Sequence, residues 1–468
     1  MIRPTCALLV GLLLAVPCFA ATPPPITGDE GATYKDLIRE KKLVTIMLKD
    51  GTPEHNMRIK AIHPEAATPT IEVETTSGER TAHTFANVDS VRVQRERIKT
   101  ADKPDPENVL TADDKKIVDQ ATDTALGIFK GSRNQLIRMN AATVLAASTH
   151  AKKADAIAYL KDLSASNDVP TALLASMMLW EVGEAPKDST LLAGLTSGNR
   201  GAKALAAALV GLTKANQFIV ELRGLLRDPA VEVFPSAAVA LGRLNDRTSL
   251  PVLFETIRII TNEKAEAAVT ALSIMGGPDV IQKLQEMLPN AKGAEWFRIV
   301  RTLHALGDKN ATHLLETEGM SQPGFQKDTA LLLAGEGDPE ALKFLRDFLN
   351  RPYDPDAENL IYRAAAALAI YSAGDISAKG KISDVLNIQP NDIYARSRTS
   401  DKQYKEAAVS VVQSSVSQVL GKSMRRDLLP LLVSPLQSPD PSVAVLAARA
   451  IVSISNHDFA KRTFEFAK

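Results

Sequence analysis

The chain has 468 residues, 45% hydrophobic and 24% charged, with 55 Lys plus Arg against 55 Asp plus Glu. That balance gives no electrostatic reason to expect nucleic acid or an anionic membrane as a partner. Both cysteines, Cys6 and Cys18, lie in the first 20 residues, so a chain processed after Ala20 has no disulfide and no cysteine-ligated metal.

Residues 1–20 read as a secretory signal peptide: Arg3 gives a positive start, Ala7 to Val16 is apolar, and Cys18-Phe19-Ala20 places small residues at the cleavage positions. The apolar run is roughly ten residues, short of the ~20 that cross a bilayer as a helix. Pro17 stands where a lipoprotein signal wants a small residue before Cys18. Export to the periplasm or the exterior is therefore the expected fate, with no integral membrane segment after the signal is removed. Residues 21–33 are rich in Pro and Gly and predict a flexible leader.

Residues 34–99 change character. A helix at Tyr34 to Lys41 precedes five β-like runs: Leu43 to Leu48, Met57 to Ile62, Thr70 to Thr75, Arg80 to Phe85 and Val88 to Val93. Turn residues follow the first and third runs at Asp50-Gly51 and Ser77-Gly78, and alternation such as Ile71, Val73 suits half-buried strands. The strand spacing, the leading helix and the short Phe85-Ala86-Asn87-Val88-Asp89 turn resemble an SH3-like barrel of the Sm-like kind. Only the fold is carried over, because an RNA-binding role does not fit export. Arg92, Arg95, Arg97 and Lys99, interrupted by Glu96, read as a solvated edge. His55, His63 and His83 fall in this region without a patterned carboxylate or cysteine and predict scattered surface histidines, not a metal site.

Residues 100–110, with Pro104 and Pro106, predict an extended linker. Thr111 with Asp114 three residues on is a capping-box pattern; the helix it opens is expected to cover the first apolar face of the helical array beyond it.

From residue 111 to 468 the signal is periodic. Leu145, Leu179, Leu209, Leu241, Leu272, Leu303, Leu333 and Ile370 recur every 30 to 37 residues, with Ile451 further on. Three residues before each stands a small or β-branched residue: Ala142, Ser176, Ala206, Ala238, Val269, Val300, Ala330, Ala367 and Ala448. Residues three apart share one helical face, so a small group lets a neighbouring helix approach while the aliphatic anchor fills the space. Gly-Glu or Asn/Gly-Asp turns follow several anchors, as at Gly183-Glu184, Asn245-Asp246, Gly307-Asp308 and Gly374-Asp375, and end one helix before the next. A period in this range marks a stacked α-solenoid. Between Ile370 and Ile451 the register is uncertain: Ser417 falls where the anchor is expected, with Val416 next to it, and Ile388 to Gln403 predicts a protruding loop.

With its aliphatic-Gly-Asp turns, Pro- or Ala-rich second helices and Asp-Pro-x-Val segments such as Asp228-Pro229-Ala230-Val231, this region resembles the HEAT-repeat family, in particular its short bacterial PBS-lyase-like form. The resemblance implies an α-α superhelix that engages another macromolecule, with the second helices on the concave side. Charged positions there, Glu221, Arg223, Lys283, Glu286, Lys343 and Arg346, are the expected binding surface. Trp296 and Phe297, opening a first helix, are expected to be partly exposed recognition residues.

No motif predicts catalysis or a cofactor. Gly421-Lys422-Ser423 lacks the earlier glycine of a phosphate loop, with Val416 in its place. Asp354-Pro355-Asp356-Ala357-Glu358 lacks the glycine of a calcium loop. His304 and His313 predict structural hydrogen bonds. The expected function is that of an exported, non-enzymatic interaction scaffold for an unidentified protein. Alternatives are an accessory subunit of a chromophore-lyase-like enzyme and a structural envelope component.

Overall fold

The computed structural model describes residues 23–27, 32–49, 53–66, 68–94, 110–259, 263–352, 356–393 and 402–465. The signal segment, most of the linker, Asp354 and Pro355, and residues 394–401 of the predicted loop lie outside them. The chain forms two compact units, residues 1–96 and 97–468.

The first unit is a six-stranded sheet with one helix. The strands are β1 (Ile26–Thr27), β2 (Leu43–Leu48), β3 (Pro53–His63), β4 (Thr70–Thr75), β5 (Arg80–Thr84) and β6 (Val88–Val93), in the order β1-β6-β2-β3-β4-β5. All pairs are antiparallel except β1 with β6. The five predicted strands are all present and their order fits an SH3-like sheet. Helix α1 (Tyr34–Glu40), closed at its start by the Thr33–Asp36 capping box, sets Tyr34 and Leu37 on a core of Val44, Ile46, Ile59, Ile71, Val73 and Val91. Part of the expected leader is built into the sheet instead: Ile26 and Thr27 pair with Val91 and Arg92, and the Tyr34 hydroxyl donates to the Pro24 carbonyl at 2.7 Å.

The second unit is helical. Helix α2 (Ala112–Gly131) precedes paired first and second helices: α3 (Gln135–Ala147) and α4 (Lys153–Ser164), α5 (Val169–Glu181) and α6 (Asp188–Leu195), α7 (Arg200–Thr213) and α8 (Ile219–Leu225), α9 (Val233–Arg243) and α10 (Leu250–Thr256). Next come α11 (Glu263–Met275) and α12 (Pro278–Met287), α13 (Gly293–Ala305) and α14 (Lys309–Leu314), α15 (Gln326–Ala334) and α16 (Pro339–Asn350), α17 (Ala357–Ser372) and α18 (Ala378–Leu386). The last are α19 (Lys402–Ser423) with the 3-10 turn Arg426–Leu432 and α20 (Val433–Leu436), then α21 (Pro441–Ser455) and α22 (His457–Glu465). Every predicted anchor and every small residue three before it is buried in one continuous core.

The anchor's own carbonyl closes its helix. It accepts the backbone N–H five residues on: Glu184 to Leu179 at 2.9 Å, Asp246 to Leu241 at 3.0 Å, Asp308 to Leu303 at 3.0 Å and Asp338 to Leu333 at 3.1 Å. This is the 6→1 bond of a Schellman turn, and it explains why the residue between carries positive φ, as Gly183, Asn245, Gly307 and Gly337 do. Small residues let first helices approach to backbone contact. A Cβ on Gly242 would lie 2.9 Å from the Ala271 Cα, and one on Gly421 would lie 3.0 Å from the Ala450 Cα. Ala271 and Ala450 each directly precede an anchor, so the same relation makes Leu420 the anchor of α19, with buried Ser417 three residues before it. The anchor of this unit is thus Leu420, and Ser417 takes the place of the small residue.

First helices pack on their successors from α3 to α13 and from α15 to α21, α13 and α15 are joined through the Leu315–Gly319 turn that both touch, and α21 packs back on α3. The two ends of the expected α-solenoid therefore meet, and the stack closes into a ring. Helix α2 lies on α3, whose apolar face it covers, and also on α21. Helix α22 folds back over α21 and reaches α5 and α19. From α4 to α16 the second helices pack on first helices and not closely on each other. In a closed ring the layer with direct neighbour contacts is the inner one. The first helices line the inside, and the second helices, expected on the concave side, face outward.

Candidate functional site

Two of the charged residues expected to bind a partner, Arg223 and Arg346, join consecutive units. Each of α4, α6, α8, α10, α12, α16 and α18 carries a buried aliphatic of its own, Leu160, Leu191, Leu222, Leu253, Leu284, Leu345 and Ile382, and Leu315 is buried one residue past the end of α14. The residue after this aliphatic often reaches the acidic residue in the turn of the next unit. Arg223 donates Nε and Nη2 to Asp246 at 3.0 and 2.5 Å, Arg346 Nε donates to Asp375 at 3.3 Å, and Gln285 donates to Asp308 at 2.7 Å. Lys161 pairs with Glu184 at 3.2 Å in the same way. Arg223 holds the Asp246 carboxyl below the usual carboxylate range, against the opposing effect of burial.

Lys283 and Glu286 pair with each other at 3.2 Å on the exposed side of α12. With Phe254, Glu255, Arg258, Met287, Asn290 and Glu295 they line an outward groove of about 290 Å3. Glu221 is half-buried, with one carboxylate oxygen shielded and unpartnered, and Lys343 is exposed on α16. Trp296 and Phe297 are not at the surface: they are 9% and 6% exposed. Phe297 stacks on Phe325 with centroids 4.6 Å apart, and Trp296 lies 6.3 Å from the same ring. Their partner Phe325 sits in the turn before α15, where no periodic signal marks it.

The histidines pair locally. His55 contacts Thr45 at 3.1 Å and His63 contacts Glu72 at 3.1 Å. His83 lies 2.9 Å from Glu54, within ion-pair distance but unaligned for a hydrogen bond. His304 is held between Thr312 and Glu336, and His313 lies near Glu316. Among the described residues no group of three or more His, Cys, Asp or Glu side chains is placed to hold a metal ion, and no helix is long and apolar enough to cross a membrane. Gly421-Lys422-Ser423 ends α19, so a phosphate loop, which opens a helix, is absent there.

The site that the sequence does not announce is the ring closure. Arg449, on α21, donates Nη2 to Glu181 Oε1 at the end of α5 and Nη1 to Asn140 Oδ1 on α3 at 3.0 Å. Asn456, just after α21, donates to the Ala147 carbonyl at 2.7 Å and accepts from the Phe459 N–H at 3.1 Å, so one side chain ends α3 and begins α22. Glu181 is only 4% exposed; burial raises its carboxyl above the ordinary glutamate range while Arg449 acts the other way. Beside this pair lies a cavity of about 220 Å3 lined by Glu181, Gln418, Leu446, Arg449, Ala450, Ser453, Thr463 and Phe464. The one signal for it in the sequence is that Arg449 and Glu181 are each the lone charge of an otherwise uncharged first helix.

No family model and no curated protein matches the chain. Among solved structures, one described as the crystal structure of an engineered protein is similar at 20% identity, covering 72% of this chain and 98% of that one with a TM-score of 0.28. A score that low does not establish a shared fold, and the likeness has no bearing on function.

Proposed function

We propose that the protein is an exported, non-enzymatic scaffold of the HEAT-repeat kind that holds a partner protein on the outward face of its helical ring. The observation that carries this reading is a run of exposed aliphatic side chains on three consecutive second helices: Leu192 on α6 (44% exposed), Val220 on α8 (73%) and Val252 on α10 (37%). Leu191, Leu222 and Leu253, one or two positions away on the same helices, fill the core, so these helices are held rigidly while the exposed residues remain in water. Exposed aliphatics grouped on adjacent elements favour a surface that another protein covers. The charged groove between α10 and α12 borders this run and supplies polar groups of the sort found at an interface rim. Latches such as Arg223–Asp246 support the reading indirectly, because a body already ordered loses little freedom when it binds.

The test is in-cell crosslinking with mass spectrometry, using the chain from residue 21 as bait. It is run beside a Leu192→Asp/Val220→Asp/Val252→Asp variant and a form lacking residues 21–110. A specific partner retained without residues 21–110 and lost with the three aspartates is the expected result. Retention in the triple variant together with loss on deleting 21–110 would move recognition to the N-terminal sheet and end this reading.

A further inference from the structure

We propose that the cavity at the ring closure binds a small zwitterion, a molecule the size of a free amino acid carrying both an ammonium and a carboxylate. The proposal does not rest on the scaffold reading. Three polar oxygens on this cavity's walls are buried and have no hydrogen-bond partner: Glu181 Oε2, Ser453 Oγ and Thr463 Oγ1. A buried acceptor or hydroxyl left without a partner is costly, and here three such groups line one cavity. Glu181 uses its other oxygen on Arg449, and Arg449 spends two of a guanidinium's five N–H donors on Glu181 and Asn140.

The wall charges select the ligand class. A carboxylate and a guanidinium stand side by side and sum to zero, so a lone anion meets Glu181 and a lone cation meets Arg449, each a repulsive neighbour. A zwitterion satisfies both: its ammonium donates to Glu181 Oε2, and its carboxylate accepts from the remaining Arg449 donors and from the Ser453 and Thr463 hydroxyls. Leu446, Ala450 and Phe464 provide an apolar wall for a side chain. A volume of about 220 Å3 falls below the roughly 300–1,000 Å3 of sites for drug-sized molecules, which restricts the occupant to a small one. Because the walls come from α5, α19, α21 and α22, occupancy ties together the two ends of the ring.

Isothermal titration calorimetry of the full chain with glycine, alanine, serine and leucine, against acetate and methylammonium as half-ligands, tests this directly. Saturable binding of at least one zwitterion is expected, with neither half-ligand binding comparably. Ser453→Ala and Thr463→Val each remove one hydroxyl at nearly constant volume and should weaken binding by about fivefold to tenfold, with circular dichroism confirming that both variants fold. Absence of binding by all four zwitterions would show a cavity that holds water alone and would overturn the proposal. So would acetate or methylammonium binding as tightly, or unchanged affinity in both variants.

Discussion

Arg449 and Glu181 are separated by 268 positions in the chain yet share a hydrogen bond inside the ring. Removing one partner of a buried pair leaves the other charged and unsolvated, which costs about 3–5 kcal/mol, whereas replacing both can be nearly neutral. Arg449→Leu should therefore lower the unfolding free energy by about 3 kcal/mol. Adding Glu181→Gln should return a large part of that loss, measured as a shift of the urea midpoint at constant slope. A double variant no more stable than the single one would show that the pair contributes through packing and not through charge. At Gly242 the constraint is steric: a Cβ would meet the Ala271 Cα and carbonyl oxygen at 2.9 Å, and both are backbone atoms that do not yield like a side chain. Gly242→Ala should cost about 1–3 kcal/mol, although alanine is the better helix former. A stabilised variant in the same denaturation experiment would mean that α9 and α11 are less tightly apposed. The first helices' small residues were legible in the sequence as a recurring class, but not the atoms they approach.

At the scale of the helical unit, the aliphatic period announced the first helices, and the same period runs through Leu191, Leu222, Leu253 and Leu284 of the second helices. Period reports burial, and burial is what repeats. Arg223 and Arg346 were legible as charges on a second helix, but their destination depends on how far the next unit rotates, and that is set by packing. The available clue was spacing, since Arg223 precedes Asp246 by 23 positions as Lys161 precedes Glu184. The latch has a pH signature. Asp246 titrates below its ordinary value of 3.8 in the folded chain, chiefly because Arg223 hydrogen-bonds its charged form. A depressed carboxylate stabilises the fold above the unfolded value and loses that contribution as pH falls through the folded one. The stability difference between the native chain and Asp246→Asn should thus be largest near pH 7 and shrink by pH 3 in urea titrations. A difference that is the same at both pH values would mean that the latch acts as a neutral hydrogen bond.

Closure of the ring is a property of the second unit as a whole, and here the sequence was least informative. An array of similar units looks the same in sequence whether its ends meet or stay apart, since each unit specifies only its neighbours. What decides is the summed rotation per unit, to which no single residue testifies. The outcome changes how the unit should respond to damage. In an open solenoid stability is a sum of local terms and the ends fray independently, whereas here α2 packs beside α21, tying the beginning of the unit to its end. Deleting residues 112–131 removes the helix that covers both α3 and α21. The loss should then appear far away in sequence: amide hydrogens of residues 441–455 should exchange faster by an order of magnitude or more, while those of α9 and α11, half a ring distant, change much less. Faster exchange confined to α3 would describe an open stack in which α2 is only an end cap. Equal acceleration throughout the helical unit would instead show that the ring unfolds as one cooperative body, with closure supplying a large share of its stability.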